Sequence, residues 1–210
     1  MSALNRVWTD ALRAFATPGP REEALSWDWF HMRRQATGAF AATQQFFNVP
    51  KGGTDGAVVV SELESNMEKA SSITAPKRFL ATGIGVILTP ESHSAAMLDV
   101  ATSMDVANSI EMVSSNCVLE LYLSDKLYLR EPVLRCPGGS GLAGFSGTSD
   151  AVTDYVCNGV PAIGNVFPLL LPIPYELAFS AILTNPKGFT TTADIRTTVF
   201  LTGILIRPLQ

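Results

Sequence analysis

The sequence predicts a mainly β protein, an eight-stranded β-sandwich of jelly-roll type with an N-terminal helical arm and one short helical insertion. Apolar runs of strand length recur between clusters of Gly, Pro, Asn and Ser, few segments have helical periodicity, and strands do not alternate with helices. The predicted domains are a helical or irregular arm over residues 1–47 and a sandwich over residues 48–210, which begins at the turn-rich segment NVPKGGTDG.

Eight segments of the second region have the length and composition of strands. They cover residues 57–63, 79–89, 117–123, 127–134, 151–157, 166–171, 175–184 and 195–207. The last segment is mostly apolar on both of its faces, which predicts a strand covered on both sides. The helical insertion is predicted over residues 92–113, where Met97, Met104 and Ala107 recur at helical spacing.

The predicted arm contains two helical segments. Residues 5–15 place Val7, Ala11 and Phe15 on one helical face. After the TPGP break, residues 21–40 carry glutamates early and arginines late, an order that the helix dipole favours.

An aromatic cluster, Trp27, Trp29 and Phe30, lies in this second segment beside Arg33. Such a cluster either packs on its own domain or docks on a neighbouring subunit, and we expect the second arrangement. Phe46 and Phe47 are expected to anchor the arm to the sandwich. Replacing both tryptophans with alanine would then weaken assembly and leave the sandwich folded.

The clearest hairpin spans residues 117–134, CVLELYLSDKLYLREPVL. A register that keeps its leucines on one face predicts a three-residue turn, Ser124-Asp125-Lys126. The predicted cross-strand pairs are Leu123 with Leu127, Tyr122 with Tyr128, and Glu120 with Arg130.

The chain is poor in charge: charged residues make up 16% of it, against about 25% in an ordinary soluble domain, and its mean hydropathy is +0.22. Protein contacts on several sides would explain this composition, and so would one well-packed core under a Ser/Thr surface. No apolar run approaches membrane-spanning length and no signal peptide is recognised. The net charge of −4 argues against a sequence-specific nucleic-acid partner.

Three glycines, Gly139, Gly141 and Gly144, have the spacing of a dinucleotide-binding loop. That loop requires a helix directly after it and an acidic residue about 20 positions further on. The following residues are rich in Ser, Thr and Gly, and no acidic residue lies within 158–168. We therefore expect a connection between strands and no bound nucleotide.

Residues for catalysis or metal binding are scarce. The chain has two histidines, His31 and His93, and three cysteines without a CxxC pair. No G-x-S-x-G nucleophile elbow is present. Glu62, Glu64 and Glu68 are expected to form a solvated face, with a calcium site as the alternative. We expect no enzyme activity, no catalytic residues, no cofactor and no metal.

Four stretches resemble jelly-roll capsid proteins of tailless bacterial viruses. They are ESNMEKASSITAPKRFLATGIGVIL, CVLELYLSDKLYLREPVLRCPGGSGLAG, PLLLPIPYELAFSAILTNP and TTVFLTGILIRPLQ, which together cover about residues 60–210. The resemblance lies in strands and turns, and it does not extend to the arm. Capsid proteins of this family commonly use such arms for contacts inside the shell.

The resemblance implies a capsid subunit that self-assembles into an icosahedral shell. Its expected partners are copies of itself and other virion proteins, with contact to an internal viral membrane left open. Its expected location is the virion, after synthesis in the host cytoplasm. The alternatives are a minor capsid or spike-base protein, or a β-sandwich binding module or cupin-like enzyme.

Overall fold

The structure is a computed structural model that describes residues 3–56, 58–91, 100–136, 138, 142–146, 155–158 and 166–209. The predicted mainly β class is confirmed, since strands dominate this part of the chain. The α-helices are α1 (Ala3–Ala16) and α2 (Val100–Asn116), and Val133–Arg135 form a short 3-10 helix. The strands are β1 (Glu22–Gln35), β2 (Gly38–Ala39), β3 (Thr43–Phe46), β4 (Thr54–Asp55), β5 (Val58–Val59), β6 (Arg78–Pro90), β7 (Val118–Leu123), β8 (Lys126–Pro132), β9 (Leu142–Ser146), β10 (Tyr155–Asn158), β11 (Phe167–Ile173), β12 (Phe179–Thr184), β13 (Thr190–Thr191) and β14 (Ile195–Pro208).

Eight of these strands form two four-stranded antiparallel sheets. The first sheet has the order β1-β14-β6-β11 and the second has the order β3-β12-β7-β8. Counted along the chain, the first of the eight strands pairs with the eighth, the second with the seventh, the third with the sixth and the fourth with the fifth. The strand pairing is therefore nested, as in one long hairpin that has been folded over.

One buried cluster of apolar side chains joins the two sheets. Strands of the first sheet contribute Trp29 and Phe79, and strands of the second contribute Phe46, Leu119 and Phe179. From Ile195 to Leu205 in β14 every second residue is buried, while those between are half-buried. The terminal strand is thus fully covered on its inner face and partly covered on its outer face.

Residues 48–77, which we call the strap, connect β3 to β6 and lie along the outer edge of β1. The Met32 N–H donates to the Glu64 carbonyl at 2.6 Å. The Asn66 side chain accepts from the Phe30 N–H and donates to the Asp28 carbonyl. The strap thereby satisfies backbone groups that an edge strand otherwise leaves unpaired.

The predicted helix over residues 21–40 is wrong. Residues Glu22–Gln35 form β1, which pairs with β14 over fourteen consecutive positions. Leu25, Trp27, Trp29 and His31 alternate toward the core, and this period of two outweighs the charge order that suggested a helix. The strand Thr43–Phe46 was also missed, so within the predicted arm residues 22–47 contribute two strands to the sheets.

The other predicted elements have different outcomes. The helix over residues 5–15 and six of the eight predicted strands are confirmed, with ends that shift by up to four residues. The segment 57–63 contributes only β5, in a small hairpin with β4. The segment 151–157 overlaps β10, which pairs with β9 outside the two main sheets, and residues 151–154 lie outside the described residues. The helical insertion is confirmed from Val100 onward, and residues 92–99 are not described.

The β7–β8 hairpin has a tighter turn than predicted. Glu120 does pair with Arg130, and their side chains form an ion pair at 3.1 Å. Leu123, however, faces Lys126 across a two-residue turn, and Tyr122 faces Leu127. Ser124 has a φ of +52°, which permits the short turn. A bulge at Tyr128 then restores the alignment of Leu121 with Leu129.

Candidate subunit-contact surfaces

The two predicted contact tryptophans lie on the inner face of β1. Trp29 is 2% exposed, and its ring meets the rings of Trp27 and Phe79 edge-on at 5.8 and 6.5 Å. Trp27 is half-buried against the same core. Trp29 therefore packs on its own domain, the arrangement that we did not expect.

The other predicted contact residues also make contacts within the chain. Phe46 and Phe47 are fully buried, and Phe47 packs on Phe179 with ring centroids 5.3 Å apart. Arg33 Nε donates to the Gln45 carbonyl at 2.6 Å. Phe30 is half-buried. A role in subunit contact stays a prediction for these residues, but Phe46 and Phe47 expose no surface for it.

Charged side chains fasten the strap to the first sheet. Arg34 and Arg196 lie directly opposite each other in β1 and β14, and Glu91 lies within 3.2 Å of Arg34 and 2.7 Å of Arg196. Arg34 also reaches Glu64 of the strap at 2.9 Å. A hydrogen bond from the Ser61 hydroxyl, aided by Arg34, holds the pKa of Glu64 below its usual range. The carboxylates therefore neutralise the two facing arginines at this edge.

His31 is buried beneath the strap. Its Nδ1 accepts a hydrogen bond from the Phe47 N–H at 3.0 Å, and its backbone bridges to Ser65. Burial lowers the pKa of His31 to about 4, Arg33 lowers it further, and Asp55 acts in the opposite direction. The imidazole is neutral at pH 7, and it joins β1 to the end of β3.

The opposite edge of the sandwich carries an apolar groove that sequence reasoning missed. It lies between the edge strands β8 and β11 and has a volume of about 250 Å³. Leu170 is 56% exposed there and Tyr128 is 47% exposed. The groove is lined by Leu121, Tyr128, Leu129, Phe167, Pro168, Leu169, Leu170 and Leu171. The run FPLLLP could have predicted an exposed apolar side chain here, because three consecutive leucines on a strand cannot all face one core.

The strap presents a second exposed apolar surface. Val59 is 65% exposed and Leu63 is 83% exposed, and Val58 is also exposed. Val58 and Val59 belong to the small hairpin of β4 and β5. Of the large apolar side chains exposed among the described residues, half lie on the strap or line the groove.

A second concavity, of about 390 Å³, lies between α2 and the segment before β14. Its lining residues are mostly of polar types and include Asn108, Glu111 and Thr192. Ser109 Oγ accepts from the N–H groups of Thr192 and Ala193 at 3.0 Å each, which fixes the helix to that segment. These contacts hold the fold together, and they bring no acid–base pair into the concavity.

Two of the three cysteines are described, and both are buried thiols. Burial raises the pKa of Cys117 and of Cys136 to about 12. Such thiols stay protonated at neutral pH and react slowly. The side chain of Cys157 is not described.

The glycine motif is only partly described, because Gly139 and Gly141 lie outside the described residues. The residues that follow them, Leu142–Ser146, form β9, where a dinucleotide-binding loop would begin a helix. The preceding Gly138 lies against the ring of Phe200, and a Cβ atom at this position would collide with that ring. This glycine is required by a close approach of the chain to the first sheet.

No protein family, curated protein or solved structure matches the chain in comparisons. Among the described residues, no three His, Cys, Asp or Glu side chains converge as a metal site would require. None of the described helices combines the length and hydropathy of a membrane span.

Proposed function

We propose that the protein is a virion structural protein, a capsid subunit of jelly-roll type that self-assembles into an icosahedral shell. The observation that carries this proposal is the nested pairing of the eight main strands. In chain order the two sheets read 1-8-3-6 and 2-7-4-5. Two sheets of four strands with this winding support a jelly roll, an architecture found in viral capsid proteins, lectins and cupins.

The filled interior favours a structural role over a cupin-like enzyme. A cupin holds a metal inside its barrel by histidines on adjacent strands, whereas aromatic and aliphatic side chains occupy the space between these two sheets. His31 is buried and its Nδ1 accepts from the Phe47 N–H, and among the described residues no group of three His, Cys, Asp or Glu side chains converges as a metal site would require. His93 lies outside the described residues.

The surface also supports assembly. Half of the large apolar side chains exposed among the described residues lie at two edges of the sandwich, on the strap and in the groove between β8 and β11. Contiguous exposed apolar patches commonly mark sites of protein–protein contact. A shell subunit is in contact with neighbours on several sides, which suits a chain with only 16% charged residues.

The virion is the proposed location, with copies of this chain and other virion proteins as partners. A minor capsid or spike-base role is the alternative, and the number of copies per particle distinguishes it from a major capsid role.

Imaging of the purified chain by negative-stain electron microscopy tests the proposal. We expect closed particles or regular ring-shaped capsomers of uniform diameter. Metal analysis of the same sample serves as the control for the cupin-like alternative. A stoichiometric bound metal, together with an absence of assemblies, would refute the capsid role.

A further inference from the structure

His31 is bonded to the strap at two points. The Phe47 N–H, directly before the strap begins, donates to His31 Nδ1 at 3.0 Å. The backbone of His31 bridges to Ser65 in the middle of the strap. The Phe47 carbonyl in turn accepts from the Ser71 N–H at 2.6 Å. One imidazole therefore holds the residue that joins the beginning of the strap to its later part.

The hydrogen bond from Phe47 occupies the one basic nitrogen of this ring. A neutral imidazole carries one hydrogen, and because Nδ1 accepts, that hydrogen is on Nε2. A second proton can bind only the lone pair of Nδ1, to which the Phe47 N–H already points. Protonation of His31 and the hydrogen bond from Phe47 therefore exclude each other.

The surroundings of the ring do not stabilise an imidazolium. His31 is buried, and burial together with the nearby Arg33 lowers its pKa to about 4. Asp55 of the strap acts in the opposite direction, but it lies 3.3 Å from Arg33 and already pairs with that guanidinium. The neighbouring strands β3 and β14 place Phe46 and Val199 beside the ring, and neither is charged. A charged ring is therefore favoured only where it reaches water.

The first part of the strap, residues 48–66, has little apolar burial to hold it in place. Among the described residues of this range, Val60 is the one buried apolar side chain, while Val59 and Leu63 are exposed. Met67, directly after it, is fully buried. A segment with so few buried apolar groups opens locally at a lower free energy than the sheets beside it.

We propose that acid releases residues 48–66 from the edge of β1, because a proton from solvent on His31 Nδ1 breaks the hydrogen bond from Phe47. The inference does not depend on the proposed self-assembly. In the open form the imidazolium reaches water. The Met32 N–H, which the strap otherwise satisfies, is then free at the edge of the sheet.

Amide hydrogen exchange followed by NMR at pH 7 and pH 5 tests this inference. The reporters are the amides of Phe47, which donates to His31, and of Met32, which donates to Glu64. The pKa of His31 is about 4 in the closed form and 6.5 when exposed, so the open form binds more protons between these values. The opening equilibrium, corrected for the intrinsic exchange rate, should therefore increase about twentyfold from pH 7 to pH 5. The amides of α2 are the internal control and should change little.

Two further measurements assign the effect to His31. The variant His31→Asn keeps an acceptor for the Phe47 N–H without titrating, so its opening equilibrium should be the same at both pH values. The nitrogen chemical shifts of the imidazole in the unaltered chain require no variant, and at pH 7 they should show the hydrogen on Nε2.

Four results would overturn the inference. Equal protection of the Phe47 and Met32 amides at both pH values would show that acid does not open the segment. An equal increase in the His31→Asn variant would assign the effect to another group. An equal increase in α2 would mean that acid destabilises the whole domain. A hydrogen on Nδ1 of His31 at pH 7 would remove the bond on which the release depends.

Discussion

Trp29 is the aromatic residue whose position most changes the expected effect of a mutation. The sequence suggested a contact outside the domain, but the indole lies in the core between Trp27 and Phe79. Trp29→Ala should therefore lower the free energy of unfolding by about 3–5 kcal/mol. Chemical denaturation measures this, with exposed Tyr175→Ala as a control that should change it by less than about 0.5 kcal/mol. A stable Trp29→Ala variant that only fails to assemble would contradict this packing.

His31 predicts a pH dependence of stability. Its pKa is about 4 in the folded protein and 6.5 when exposed, so between these values the unfolded chain binds more protons. The free energy of unfolding should therefore fall as the pH drops from about 6.5 to about 4, by about 3 kcal/mol at most, and this contribution should be constant below pH 4.

His31→Asn isolates that contribution. The amide oxygen of Asn can still accept from the Phe47 N–H, but it does not titrate. Denaturation curves from pH 4 to pH 7 should be flatter for the variant than for the unaltered chain, even if its stability at pH 7 is lower. Equal slopes in this range would show that His31 is not the group responsible.

Arg78 determines how α1 is held. Its guanidinium donates to the carbonyls of Phe15 and Thr17 at 2.9 and 3.0 Å, and it pairs with Glu22 at 2.7 Å. A helix of fourteen residues is marginal without tertiary contacts. Arg78→Met should therefore increase deuterium uptake by the amides of residues 3–16, while the uptake of β6 and β14 changes little.

Lys77→Met is the matched control for Arg78. Lys77 is the neighbouring residue and pairs with Glu68 of the strap at 2.6 Å. Its replacement should leave deuterium uptake in α1 unchanged. Equal uptake in α1 for the two variants would mean that Arg78 does not tether the helix.

The strands were predictable where one local signal dominated. The apolar runs of β6, β7, β12 and β14 lie between turn residues, and all four were located. In β1 two signals competed, because the charge order favoured a helix while Leu25, Trp27 and Trp29 alternated as in a strand. The segment forms a strand because it pairs with β14, which is more than 150 residues away in the sequence. The residues near β1 give no indication of so distant a partner. The two-residue turn of the β7–β8 hairpin depended on the left-handed φ of Ser124, which serine rarely adopts.

The candidate contact surfaces were less predictable than the fold. The aromatic residues of the predicted arm were expected to make contacts outside it, yet Trp29, Phe46 and Phe47 are buried in the core. Leu170 and Val59 resemble any other apolar strand residue, and only the tertiary structure shows that they are exposed. Exposure depends on which edge of a sheet is covered, and in this molecule the strap covers the edge of β1.

At the scale of the whole molecule, the sandwich has two different edges. One is closed by the strap through backbone and ionic contacts, and the other presents an apolar groove. A subunit with two unlike edges can join copies into closed rings or shells.

The most direct test of this account is the mass of the purified chain in solution, measured by light scattering over increasing protein concentration. If the protein builds a shell, the mass should rise from that of the 22.5 kDa chain to a defined multiple of it, and then to that of closed particles. A mass that stays at that of one chain at high concentration would contradict the proposal that this protein builds a shell.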